Sequence, residues 1–157
     1  MYYEVKLKVM KPNKDGLEKE VKEHFITDCS LFAEAEAKGL EQYASDNMES
    51  DVFSISRSNI IEIINEKTED KPFFKATIVD TQIDENGNEK ELKYYNLVCA
   101  KDLKEANTLM EQHLSQGLSD MRLDAIVKTK IIDLIYKIIV IFFFVGKRNR
   151  ILAPLCR

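Results

Sequence analysis

The chain has 157 residues, 45% hydrophobic and 32% charged, with a net charge of −4, which is enough for one domain or for two small halves sharing a core. Residues 128–157 carry seven basic residues against the single acid Asp133, so the rest of the chain stands at −10. An acidic body of that kind argues against nucleic acid as the main partner, because phosphate binding needs a basic footprint.

Residues 2–10 alternate, with Tyr3, Val5, Leu7 and Val9 on one side and Glu4, Lys6 and Lys8 on the other, which predicts a half-buried strand. Residues 11–16 hold Pro12, Asn13 and the pair Asp15-Gly16, which is turn chemistry. A returning strand is expected over 19–27, and Ser30 is positioned to cap a helix over 31–47. The apolar stripe of that helix is Phe32, Ala35, Gly39 and Tyr43, at spacings of three and four. Residues 52–64 are rich in β-branched side chains and predict a third strand, bent or bulged where alternation fails at Arg57-Ser58-Asn59. After a polar link over 66–72, the order recurs. A strand over 73–83, a turn centred on Asn86-Gly87 and a strand over 89–99 make a hairpin. Asp102 and Glu105 resemble a capping box for a helix over 103–116, ended by Gly117, with Leu103, Ala106, Met110 and Leu114 as its stripe. A last strand spans about 121–136.

The recurrence is literal. With Tyr2 laid on Phe73, positions 2–64 fall on 73–135 without a gap and with 11 identities in 63 positions. Gly16 lies over Gly87, Glu34-Ala35 over Glu105-Ala106, and Ile60-Ile61 over Ile131-Ile132. One register that holds through turns, strands and a helix marks a duplicated unit. The expected fold is therefore α+β: tandem duplicated ββαβ units sharing a mostly antiparallel sheet with two helices on one side. This would be six-stranded, or split into two packed three-stranded sheets. The first repeat covers 1–65, the second 72–136, and a C-terminal tail 137–157.

The tail is apolar and then basic. Ile138–Val145 is an unbroken apolar run, followed by Lys147, Arg148 and Arg150. It is shorter than the roughly 20 apolar residues a spanning helix needs, and its phenylalanines and β-branched residues suit a strand. It reads as an extension of the last strand that meets the body or a partner. Membrane contact, and a terminus that is disordered or foreign to the natural protein, are the alternatives. The candidate partner-binding residues are Ile138, Ile139, Ile141, Phe142, Phe143, Phe144, Lys147, Arg148 and Arg150.

Other constellations reduce to ordinary roles. His24 and Cys29 are five apart and His113 has no Cys or His nearby, which is not zinc spacing. The acidic turn 84–89 has the wrong residues at the first and last positions of a calcium loop. No P-loop, GxGxxG, GxSxG or HExxH is present. Glu34 and Glu105 match across the repeat, but a carboxylate in the first turn of a helix serves the helix dipole. No catalytic residue, cofactor or metal is expected. Cys29, Cys99 and Cys156, an odd count without C-x-x-C spacing, suit a reduced, cytosolic protein. The opening Met1-Tyr2-Tyr3-Glu4-Val5-Lys6 has no apolar run of signal-peptide length, so export by that route is not expected.

The run Phe25-Ile26-Thr27-Asp28-Cys29-Ser30-Leu31-Phe32-Ala33-Glu34-Ala35-Glu36-Ala37, after the turn Lys14-Asp15-Gly16, resembles an uncharacterised family of small proteins of Bacteroidota and their phages, including crAss-like phages. The resemblance covers about residues 1–135 and brings no catalytic residues. It implies a phage setting, in which small proteins decorate the tail and its muzzle. The expected function is a non-enzymatic structural or adaptor protein, virion-associated or cytoplasmic, that binds another protein, such as a phage tail or capsid protein, through sheet edges and its tail. The runner-up is a soluble cytosolic regulator or inhibitor that binds a host protein through its acidic surface.

Overall fold

The computed structural model describes residues 1–46, 48–65, 71–117 and 120–136. The first half runs β1 (Tyr2–Pro12), β2 (Glu18–Asp28), α1 (Phe32–Glu41), β3 (Ser50–Arg57) and β4 (Ile60–Ile64). The second half repeats the order with β5 (Phe73–Ile83), β6 (Glu89–Cys99), α2 (Leu103–Ser115), β7 (Met121–Lys128) and β8 (Ile131–Ile135).

Each hairpin closes as its turn residues require. Gly16 and Gly87 take φ of +78° and +81°, a conformation that glycine adopts without a Cβ penalty. In the first turn the Asn13 side-chain oxygen accepts from the amides of Asp15 and Leu17, at 2.8 and 3.0 Å. Asp84 does the same for Asn86 and Asn88, at 2.8 and 2.9 Å.

The helices begin differently. Asp102 caps α2 as expected, its carboxylate accepting from Glu105 N at 2.8 Å. Ser30 does not cap α1: the cap position is Leu31, whose side chain accepts nothing. Glu34 reaches back to the amide of Ser30 instead, at 3.1 Å. Helix α1 also stops at Glu41, well short of the expected residue 47.

The expected third strand divides where its alternation fails. Ser58 N donates to Tyr2 O at 2.9 Å, and the Ser58 hydroxyl accepts from Ile60 N at 3.3 Å. Thr129, the repeat equivalent of Ser58, makes both bonds again with Phe73 O and Ile131 N. Each break redirects the chain from one sheet into the other. The result is two four-stranded sheets, ordered β3-β1-β2-β8 and β4-β6-β5-β7. Three antiparallel strands of each sheet come from one half, and the fourth, parallel to its neighbour, comes from the other. The α+β class and the duplicated unit stand. The single shared sheet with both helices on one side is replaced by an exchange of last strands, because the Ser58 and Thr129 turns stop β3 and β7 from continuing along their own sheets.

Every pairing register in the first sheet recurs at the equivalent positions of the second: Tyr2↔Asp28 becomes Phe73↔Cys99, and His24↔Ile131 becomes Tyr95↔Ile60. The core follows. Tyr3, Val5, Leu7, Val9, Phe25, Ala35 and Ile135 form one cluster under α1. Phe74, Ala76, Ile78, Val98, Ala106 and Met110 form its counterpart under α2. The opposite faces of the two sheets meet in a third cluster of Ile26, Ile60, Phe73, Leu97, Cys99 and Ile131. Neighbours such as Phe25 and Ile26, or Phe73 and Phe74, thus point into different clusters, as strand pleat dictates. The sheets stack face to face, with one helix on each outer face.

Candidate functional site

The residues expected to bind a partner, Ile138, Ile139, Ile141, Phe142, Phe143, Phe144, Lys147, Arg148 and Arg150, lie outside the described residues. The remaining candidates are placed. Glu34 and Glu105 each bond the backbone before their own helix, Glu105 accepting from Lys101 N at 2.6 Å. That bond holds the Glu105 carboxyl below the usual carboxylate range. The two carboxylates serve separate helices on opposite outer faces and form no acid–base pair. Cys29 and Cys99 are both buried and free, and burial pushes the Cys29 thiol up, away from the thiolate a nucleophile requires. Among the described residues no three His, Cys, Asp or Glu side chains gather as metal ligands. Nor is any described helix long and apolar enough to cross a membrane.

His24 belongs to a polar cluster where the two sheets meet. Its Nε2 lies 2.9 Å from one oxygen of Glu4, whose other oxygen accepts from the Ser58 hydroxyl at 2.8 Å. The His24 bond is the main reason the Glu4 carboxyl sits below its ordinary range, with Ser58 and the nearby Lys75 acting in the same direction against burial. Lys75 donates to Asn59 at 2.8 Å and lies 4.4 Å from the centre of the Tyr95 ring. Glu4 and Lys75 are repeat equivalents, as are His24 and Tyr95. Equivalent positions of the two copies thus meet across the seam, with opposite charge where an undiverged duplicate would bring like charges together. Chemically the cluster is a lock: Ser58 and His24 both address Glu4, and neither activates the other as a nucleophile and its base must. His113 makes a separate contact, 3.1 Å from Glu62, which ties α2 to β4.

Sequence reasoning named the sheet edges as a binding surface but assigned no residue to them. Each of the four edge strands contains one residue without a pairing partner, at repeat-equivalent positions: Phe53 in β3 and Asp124 in β7, Ile61 in β4 and Ile132 in β8. Three of these are apolar and exposed, Phe53 at 42%, Ile61 at 59% and Ile132 at 43%. Phe53 lies beside two ammonium groups, with Lys8 and Lys22 each 5.7 Å from its ring centre. Lys8 and Lys22 face each other directly across β1 and β2, on the same face as the pair Lys6↔His24. The signal for that face was present in the sequence: strand alternation puts Lys6 and Lys8 together, and a register counted back from the Asp15-Gly16 turn brings in Lys22. A shallow cleft of about 230 Å³ separates α2 from β7 and is lined by Leu103, Glu111, Leu123 and Asp124 among others.

Comparison with known proteins gives a family of unknown function. A family model described as "Domain of unknown function (DUF4494)" matches residues 1–138, which agrees with the uncharacterised family expected over about 1–135. No curated protein and no solved structure matches the chain.

Proposed function

The chain belongs to the DUF4494 family of unknown function, and on that premise we propose that it is a non-enzymatic structural or adaptor protein that binds another protein. The observation that carries this reading is the set of edge irregularities. A bulge at a sheet edge re-aims one side chain out of the ladder, and here three such positions hold large apolar side chains exposed to water. Bulges also interrupt the row of free amides and carbonyls that would otherwise recruit a long foreign strand. Recognition therefore rests on side chains displayed at the edges together with short backbone pairing. The phage setting, with a virion role at the tail or muzzle, comes from the resemblance of the run 25–37. The tail residues from Ile138 to Arg150 complete the proposed partner surface.

The test is capture from infected cells with the full chain and with a version lacking residues 138–157, together with mass spectrometry of purified particles. Presence in particles and capture of a tail or capsid protein is the expected result. Absence from particles, with no protein captured by either form, contradicts the proposal.

A further inference from the structure

We propose that the seam between the two sheets is also an interface to a second copy of this chain. The first half of each molecule closes on the second half of the other, and Glu4 with Lys75 excludes the pairing of like halves. The assembly is a two-fold dimer made by exchange of halves, and its interface is separate from the sheet edges offered to a foreign protein.

Backbone pairing and apolar packing do not tell the halves apart. Strand β8 meets β2 through His24↔Ile131, Ile26↔Leu134 and Thr27↔Ile135, and β4 meets β6 through the equivalent Tyr95↔Ile60, Leu97↔Ile63 and Val98↔Ile64. The apolar residues of the seam come as near duplicates: Ile26 with Leu97, Ile60 with Ile131, Tyr2 with Phe73 and Ile63 with Leu134. The polar positions do discriminate. Lys75 of the second half donates to Asn59 of the first at 2.8 Å, and Asn59 adjoins Ser58, whose hydroxyl donates to Glu4. Glu4 is held below its ordinary range by His24 first, and also by Ser58 and Lys75. The repeat equivalent of Asn59 is Lys130. Two second halves would therefore set Lys75 against Lys130, and two first halves would set a second Glu4 where Lys75 now stands. Like charges brought together across an interface oppose both pairings.

The connection between the halves permits the exchange. Strand β4 ends beside Val98, and β5 begins opposite Cys99 on the other flank of β6, a separation of two strand spacings, about 10 Å. Residues 65–72 can reach roughly 25 Å, so closure within one chain leaves slack for a crossing to a neighbour. Asn65, at the exit from β4, has a φ of +65°, the only positive φ outside glycine among the described residues. Its side chain donates to Cys99 O at 2.9 Å. An extended Asn65 would redirect the chain away from its own second half, which makes this residue the hinge. Closure within one chain has the advantage of a tether, worth a local concentration of about 1 mM, so exchange requires the seam to open at comparable protein concentration. Once formed, the dimer persists because both seams must reopen to undo it.

Two charge-reversed full-length chains test this by complementation. Glu4→Lys alone and Lys75→Glu alone each put like charges in their own seam, whereas exchange between the two variants restores an opposite pair in both seams. Unfolded together in equal amounts and refolded at about 1 mM, they should give a mixed dimer with one chain of each, identified by native mass spectrometry with one variant isotope-labelled. That dimer should melt about 3 °C or more above either variant alone. The unaltered chain refolded at the same concentration should give a dimer fraction that Asn65→Val raises and Asn65→Gly lowers, because a β-branched residue resists positive φ and glycine does not. A mixture that yields only monomers, or like and unlike dimers in statistical proportion, overturns the proposal. So does a chain that stays monomeric at that concentration even as Asn65→Val. Should the mixture fail to fold, a chain carrying both Glu4→Lys and Lys75→Glu takes its place: it should melt above both single variants, and melting no higher than they do overturns the selection by charge.

Discussion

The two halves of this protein share a backbone plan and differ in what they show to solvent. Turns, strand registers, edge bulges and the Ser58 and Thr129 crossovers recur at equivalent positions of the repeat. The side chains of the hairpin face, the N-cap residue and the residue at one buried helix position, Gly39 against Met110, do not, whereas buried Ala35 and Ala106 do. What the exchange of last strands demands has been kept in both copies. Positions that bear on only one half have drifted or been put to use. The difference separates residues that make the fold from residues available for function.

The largest effects should come from positions that are equivalent and buried between the sheets. Ile26 and Leu97 are repeat equivalents and fully buried in the seam. Ile26→Ala and Leu97→Ala should each cost about 2–5 kcal/mol, by closely similar amounts, in denaturant unfolding. Markedly unequal costs break the symmetry argued here.

Next come the helix positions where the halves diverge. Gly39 lets α1 lie close on β1: a Cβ there would meet a Val5 methyl at 2.8 Å. Its counterpart in α2 is buried Met110. Gly39→Ala gains about 1 kcal/mol of helix propensity but overpacks a β-branched neighbour, at a cost of about 1–3 kcal/mol. The expected outcome is a net loss of about 1 kcal/mol, read from the denaturation midpoint; a gain would mean that α1 can lift off the sheet without penalty.

The caps give a paired prediction of opposite sign. Asp102→Ala removes a bond to Glu105 N and should destabilise by about 1 kcal/mol. Leu31→Asp supplies the cap that α1 lacks and should stabilise by about 0.5 kcal/mol. Thermal melts of the two variants decide it.

The smallest effect is pH-dependent and belongs to the first half. Glu4 titrates below its ordinary value of 4.5, chiefly through His24. A carboxyl lowered in the folded state stabilises the protein above its unfolded pKa, and that contribution disappears as pH falls through the folded one. Stability should therefore decline on acidification below about pH 4.5, and Glu4→Gln should flatten that part of the profile. An unchanged slope would remove Glu4 from the seam's electrostatics.

Much of this was legible in the sequence, for physical reasons. Alternation in Tyr3, Val5, Leu7 and Val9 and the glycine turns define both hairpins locally, and self-similarity defines the repeat. The break at Arg57-Ser58-Asn59 was visible as lost alternation, but its consequence was not. Ile60-Ile61-Glu62-Ile63-Ile64 has the same periodicity whichever sheet it joins, so exchange with the other half leaves no local trace. Ser30 looked like a cap because propensity is local, whereas Glu34 satisfied the Ser30 amide from within the helix. Glu4, His24 and Ser58 come together within the first half, and Lys75 joins them only once both sheets exist.

The claim that the halves are interlocked is tested most directly by hydrogen exchange on Leu97→Ala. Because β4 and β8 cross between sheets, loosening the seam should lower amide protection in β1 and β2 as much as in β5 and β6. Loss of protection confined to β4, β5, β6 and β7, with the first sheet unchanged, would contradict the account and leave two units that merely touch.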